Sequence, residues 1–65
     1  MITIGTKACL LNDGDEVFTI EGRIKVSDVH MVMAEGIVTF TATKVKCGTS
    51  TKRWADMNEV FNKVI

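Results

Sequence analysis

The stretch Glu16-Val17-Phe18-Thr19-Ile20-Glu21-Gly22-Arg23-Ile24-Lys25-Val26 decides how the chain is read. Phe18, Ile20, Gly22, Ile24 and Val26 share one parity, and Thr19, Glu21, Arg23 and Lys25 share the other. A period of two places these sets on opposite faces of extended backbone, one dry and one wet. No helical spacing accounts for the pattern as well. Residues 16–26 are therefore expected to run as one long strand, with the rest of the chain as its neighbours plus one helix that covers them.

On the N-terminal side, Ile2, Ile4, Thr6, Ala8 and Leu10 alternate with Thr3, Gly5, Lys7, Cys9 and Leu11, the mark of a first strand. Asn12-Asp13-Gly14-Asp15 then reads as a hairpin turn, because Asp and Gly tolerate positive φ. Gly22 reads as a bend inside the second strand. On the C-terminal side, Ser27-Asp28 is a candidate turn, Val29–Ala34 a third strand and Glu35-Gly36 another tight turn. Ile37–Cys47 is a fourth strand with Val38, Phe40 and Ala42 inward, and its parity slips near Thr43-Lys44 as at a β-bulge.

Beyond Gly48 the reading forks. Met57, Val60, Phe61 and Val64 fall at helical spacing, and Trp54 extends the stripe backwards, so a C-terminal amphipathic helix is expected. Asp56-Met57-Asn58-Glu59 fits a capping box, which leaves residues 49–54 as a fifth strand. Alternatively Ser50 or Thr51 caps a longer helix. The expected fold is mainly β: a strongly bent antiparallel meander of four or five strands, closed by a short C-terminal helix.

At 65 residues the chain makes one domain, residues 1–65. A chain of this size buries about 60% of its unfolded surface, and stability of roughly 3–10 kcal/mol is expected. Eight basic and eight acidic residues cancel, which excludes whole-surface attraction to nucleic acid. The charge is uneven, however. Residues 1–35 carry three bases against six acids, and residues 36–65 carry five bases against two acids. The opening residues lack a basic leader and an apolar stretch of signal length, and no run approaches the roughly 20 apolar residues of a membrane span. A cytoplasmic, non-membrane protein with reduced Cys9 and Cys47 is expected.

Ile4-Gly5-Thr6-Lys7, Leu10-Leu11-Asn12-Asp13-Gly14 and Ile20-Glu21-Gly22 resemble the opening two strands of small SH3-like barrels, the group that holds the Tudor and KOW-type domains. The resemblance covers about a third of the chain and implies a small β-barrel. Gly14-Asp15-Glu16-Val17 and the strand after it are similar to the carbon storage regulator family, dimeric RNA-binding repressors with five strands and a final helix. That family's paired N-terminal arginines and its Ala-Pro segment are absent, so none of its functional residues is carried over.

The stretch best suited to binding is Lys44-Val45-Lys46-Cys47-Gly48-Thr49-Ser50-Thr51-Lys52-Arg53-Trp54, which holds four cations and no acid. A helix starting at Thr51 would aim free N–H groups at the Gly48–Ser50 loop. Phosphate would sit there, with Thr49, Ser50 and Thr51 as donors and Lys44, Lys46, Lys52 and Arg53 as charge. Trp54 would stack on a base. The bland alternative is a solvated connection whose Trp is core. Walker A geometry is missing.

Other chemistry is thin. His30, Cys9 and Cys47 lack the spacing of a zinc site, and Asp13, Asp15 and Glu16 beside a turn serve solubility more readily than acid–base work. No metal, cofactor or catalytic set is expected. Met31, Met33, Ile37, Val45 and Leu11 exceed what one face of so small a sheet hides. They read either as core or as an interface with another copy.

The sequence thus points to a non-enzymatic binder of a phosphate-bearing ligand, nucleotide or nucleic acid, acting as a homo-oligomer. The alternative is a protein-interaction module, such as a phage-encoded inhibitor of a host or cellular protein, working through a sheet edge and the Met-bearing strand.

Overall fold

The computed structural model describes residues 2–65. They form six strands: β1 (Thr3–Lys7), β2 (Glu16–Thr19), β3 (Gly22–Val32), β4 (Ile37–Lys44), β5 (Ser50–Asp56) and β6 (Val60–Val64). A single 3-10 turn, Ala8–Leu10, follows β1. All strands join one antiparallel sheet in the order β1-β6-β2-β3-β4-β5. Only β2 to β5 form a meander. The last strand sits between the first two.

The expected long strand is two strands. Residues 16–26 reverse at Ile20-Glu21, and Thr19 pairs with Gly22. Gly22 takes a φ of +100°, which supplies the left-handed residue that a tight hairpin needs. Thr19 Oγ1 accepts the Glu21 N–H at 3.1 Å and donates to the Gly22 carbonyl at 3.1 Å. The reversal shifts parity. Val17 pairs with Ile24 on the dry face, while Phe18 pairs with Arg23 on the outside. Phe18 is half exposed and Ile20 stands fully open at the turn tip. Alternation ran unbroken through the turn, so periodicity could not reveal it.

Two connections differ from expectation. Asn12–Asp15 does turn, with Gly14 at a φ of +94°, but β1 and β2 do not pair across it because β6 lies between them. Ser27-Asp28 is no chain reversal. It is a bulge within the 11-residue β3, where the register to β4 shifts between Ser27 and His30 and Asp28 holds a φ of +53°. The Val29 N–H there donates to Asp13 Oδ1 at 2.9 Å. The turn at Glu35-Gly36 and the inward set Val38, Phe40 and Ala42 stand as expected.

There is no C-terminal helix. Residues 50–56 form β5, and Val60–Val64 form β6, paired with β1 on one side and β2 on the other. The expected capping box is not formed: Asp56 Oδ1 accepts the Asn58 N–H at 2.9 Å, two residues on, as in a turn. That bond closes the β5–β6 turn and starts no helix. A segment this short cannot repay helix nucleation by itself. Between β1 and β2 it completes two ladders instead.

The core comprises Ala8, Leu11, Val17, Ile24, Val26, Val38, Phe40, Ala42 and Ala55. Phe61 of β6 meets Phe40 edge to face, with ring centroids 6.0 Å apart. Ala8 N–H donates to the Glu59 carbonyl at 2.8 Å and Cys9 N–H to that of Met57 at 3.1 Å. These bonds tie the end of β1 to the β5–β6 connection. The outermost strands β1 and β5 each pair on one side only. No helix of the described residues is long and apolar enough to cross a membrane.

Candidate functional site

The β2–β3 turn and the connection between β4 and β5 meet at one end of the sheet. Val45 N–H donates to the Arg23 carbonyl at 3.1 Å, which fixes one loop against the other. Between them lies a cleft of about 400 Å³ lined by Glu21, Gly22, Arg23, Lys44, Val45, Lys46 and Cys47. Its walls carry three cations, Arg23, Lys44 and Lys46, and one carboxylate, Glu21.

Glu21 organises the charge. Its carboxylate lies 3.0 Å from Arg53 Nη1, 3.0 Å from Arg53 Nη2 and 3.3 Å from Lys44 Nζ. The Arg53 hydrogen bonds first, and that of Lys44 second, hold its pKa below the usual carboxylate value. Arg23 pairs with Glu16 at 2.7 Å, and Lys52 with Asp28 at 3.7 Å. Among the described residues Lys46 has no carboxylate within 4.0 Å. It is the cation of the cleft most open to a ligand. Beside it, the Cys47 sulfur lies 3.3 Å from Thr49 Oγ1; hydrogen bonding from the Thr49 hydroxyl and then its backbone to the thiolate, with the charges of Lys44 and Lys46, holds the thiol pKa below its usual value.

The hydroxyl run does not form the expected phosphate cradle. Thr51 lies inside β5, so no helix N-terminus faces Gly48–Ser50. Ser50 shares a hydroxyl–hydroxyl bond of 2.8 Å with Thr43, and Thr51 Oγ1 accepts from Arg53 Nε at 3.3 Å. Of the sequence candidates, only Lys44, Lys46 and the neighbouring Val45 and Cys47 line the cleft. Arg53 reaches it through Glu21. Glu21, Gly22 and Arg23 were missed, because only strand pairing brings the β2–β3 turn to this loop.

Trp54 is not core: it is 70% exposed. Register places it beside Thr39, and Thr39 beside His30, in one row across β5, β4 and β3. With Arg53 it also lines a second cavity of about 140 Å³, where the open edge of β5 faces Val17, Thr19, Glu59 and Phe61. Comparison with protein-family models, with curated proteins and with solved structures returns no match.

The apolar candidates do not form one patch. Met31 and Ile37 flank the β3–β4 turn beside the exposed Met33. Val45 follows the far end of β4, about 26 Å from Ile37 along the chain direction, and lines the cleft. No group of three metal-ligating side chains occurs among the described residues. Asp13, Asp15 and Glu16 each have a partner: Asp13 the Val29 N–H, Asp15 the Asn12 N–H and Lys63, and Glu16 the Arg23 guanidinium.

Proposed function

We propose that this chain is a non-enzymatic binding protein whose ligand carries phosphate, held in the cleft between the two loops. Three cations against one carboxylate around a single cleft is the observation that supports the reading most. Lys46 supplies the unpaired charge, Lys44 and Arg23 the flanking charge, and Gly22 leaves room for close approach. The contact is electrostatic, so affinity falls as salt rises. The single antiparallel sheet is the support for reading the scaffold as a small SH3-like barrel.

Amide chemical shifts during titration with inorganic pyrophosphate and with ATP test this reading. Gly22, Lys46 and Gly48 should move together, and Lys46→Glu should abolish the movement while the remaining spectrum stays folded. Unmoved cleft amides at millimolar ligand would refute the proposal.

A second reading is favoured by a different observation. The edges of β1 and β5 are unpaired, and Ile2, Ile4 and Met33 are exposed. Such edges suit strand pairing with a second copy or with a host or cellular protein. Sedimentation that gives the monomer mass at every concentration would exclude the homo-oligomer.

A further inference from the structure

The cleft and the exposed Trp54 are joined by one ion-pair network. Glu21 lines the cleft, its carboxylate binds Arg53, and Arg53 with Trp54 lines the cavity at the β5 edge. Strand alternation sends neighbouring side chains to opposite faces. At this edge, however, both residues border the same cavity.

The seat that Glu21 occupies has the chemistry of a phosphate site. A guanidinium places two nitrogens 3.0 Å from its two oxygens, Nη2 donating to Oε1, and an ammonium lies 3.3 Å from Oε1. A phosphate diester offers the same two-oxygen face to that fork. Glu21 projects from a two-residue turn at the surface and takes no part in the core. It can leave the seat without disturbing the packing.

We propose that the ligand is a single-stranded nucleic acid. One of its phosphates takes the place of the Glu21 carboxylate between Lys44 and Arg53, and an adjoining base stacks on Trp54. This rests on the phosphate-binding reading above and extends it. Base faces are free only in an unpaired strand, and a bare indole on a strand edge meets a base face. Lys46, which lines the cleft, supplies charge for a flanking phosphate.

Trp54 is the only tryptophan, so its fluorescence reports directly on stacking. The protein is titrated with a ten-nucleotide oligo-dT and oligo-U, lengths within the roughly 4–16 nucleotides that small β-barrels cover. Pyrophosphate serves as the base-free control. Quenching is expected with either oligomer and not with pyrophosphate. By fluorescence anisotropy of end-labelled oligomer, Trp54→Leu should weaken binding roughly 5- to 150-fold, the range that one base–aromatic stack supports. Glu21→Gln should strengthen it, because the competing internal charge is gone. If the oligomers bind no more tightly than pyrophosphate, or if neither variant shifts their affinity, the inference falls while the phosphate cleft stands. If pyrophosphate and the oligomers all fail to bind, both fall.

Discussion

Glu21 and Arg53, 32 positions apart in sequence, meet in a two-oxygen, two-nitrogen fork with both contacts at 3.0 Å. This pair links the β2–β3 turn to the free edge strand β5, which have no ladder between them. It therefore braces a seam where the sheet leaves backbone groups unpaired. Lys44, the last residue of β4, joins it from the third side.

That brace carries a pH signature. The carboxyl pKa of Glu21 is lowered from 4.5 in the folded chain, so its contribution to stability is present above about pH 4.5 and is lost as pH falls through the lowered value. The group is solvent-exposed, so the effect is modest. Glu21→Gln is expected to melt below the native chain at pH 7, with the gap closing as the pH drops below about 4.5. Paired melting curves at neutral and acid pH check this; a gap that widens in acid would refute it.

Gly22→Ala distinguishes a hairpin from a bend inside a strand. A Cβ added at Gly22 would meet nothing within 4 Å, so the cost is purely conformational. At a φ of +100° an alanine should destabilise by about 1–2 kcal/mol. Were Gly22 in the middle of a strand, alanine would instead stabilise by roughly 0.5–1 kcal/mol. Urea unfolding gives the sign.

Asn62 separates strand from helix at the C-terminus. It is exposed in β6 and pairs with Gly5 and Phe18 across the two ladders. Asn62→Thr should be neutral or stabilising within the roughly 1 kcal/mol span of β-propensity, and Asn62→Ala should be the poorer of the two. Helix propensity predicts the opposite order. Chemical denaturation of both variants decides it.

Phe40→Ala removes a buried ring and the edge-to-face partner of Phe61. A loss of about 3–5 kcal/mol is expected. In a chain of 65 residues that approaches the whole stability, so the variant should be largely unfolded at 37 °C. Far-ultraviolet circular dichroism across temperature measures it.

From the sequence alone came the β class, the turn at Glu35-Gly36, the inward set Val38, Phe40 and Ala42, and the cationic concentration from Lys44 to Arg53. Each is local: alternation, a Gly at a turn, or charge along the chain. The tertiary structure alone decided that Glu16–Val26 folds back on itself, since an alternating pattern looks the same whether it continues or reverses. It also turned Val60–Val64 into a strand, because the gap between β1 and β2 offers ladder partners that an isolated segment lacks. The site changed for the same reason. Glu21 and Arg23 reach the basic loop only through pairing between distant strands, and no spacing along the chain encodes which carboxylate will neutralise which cation.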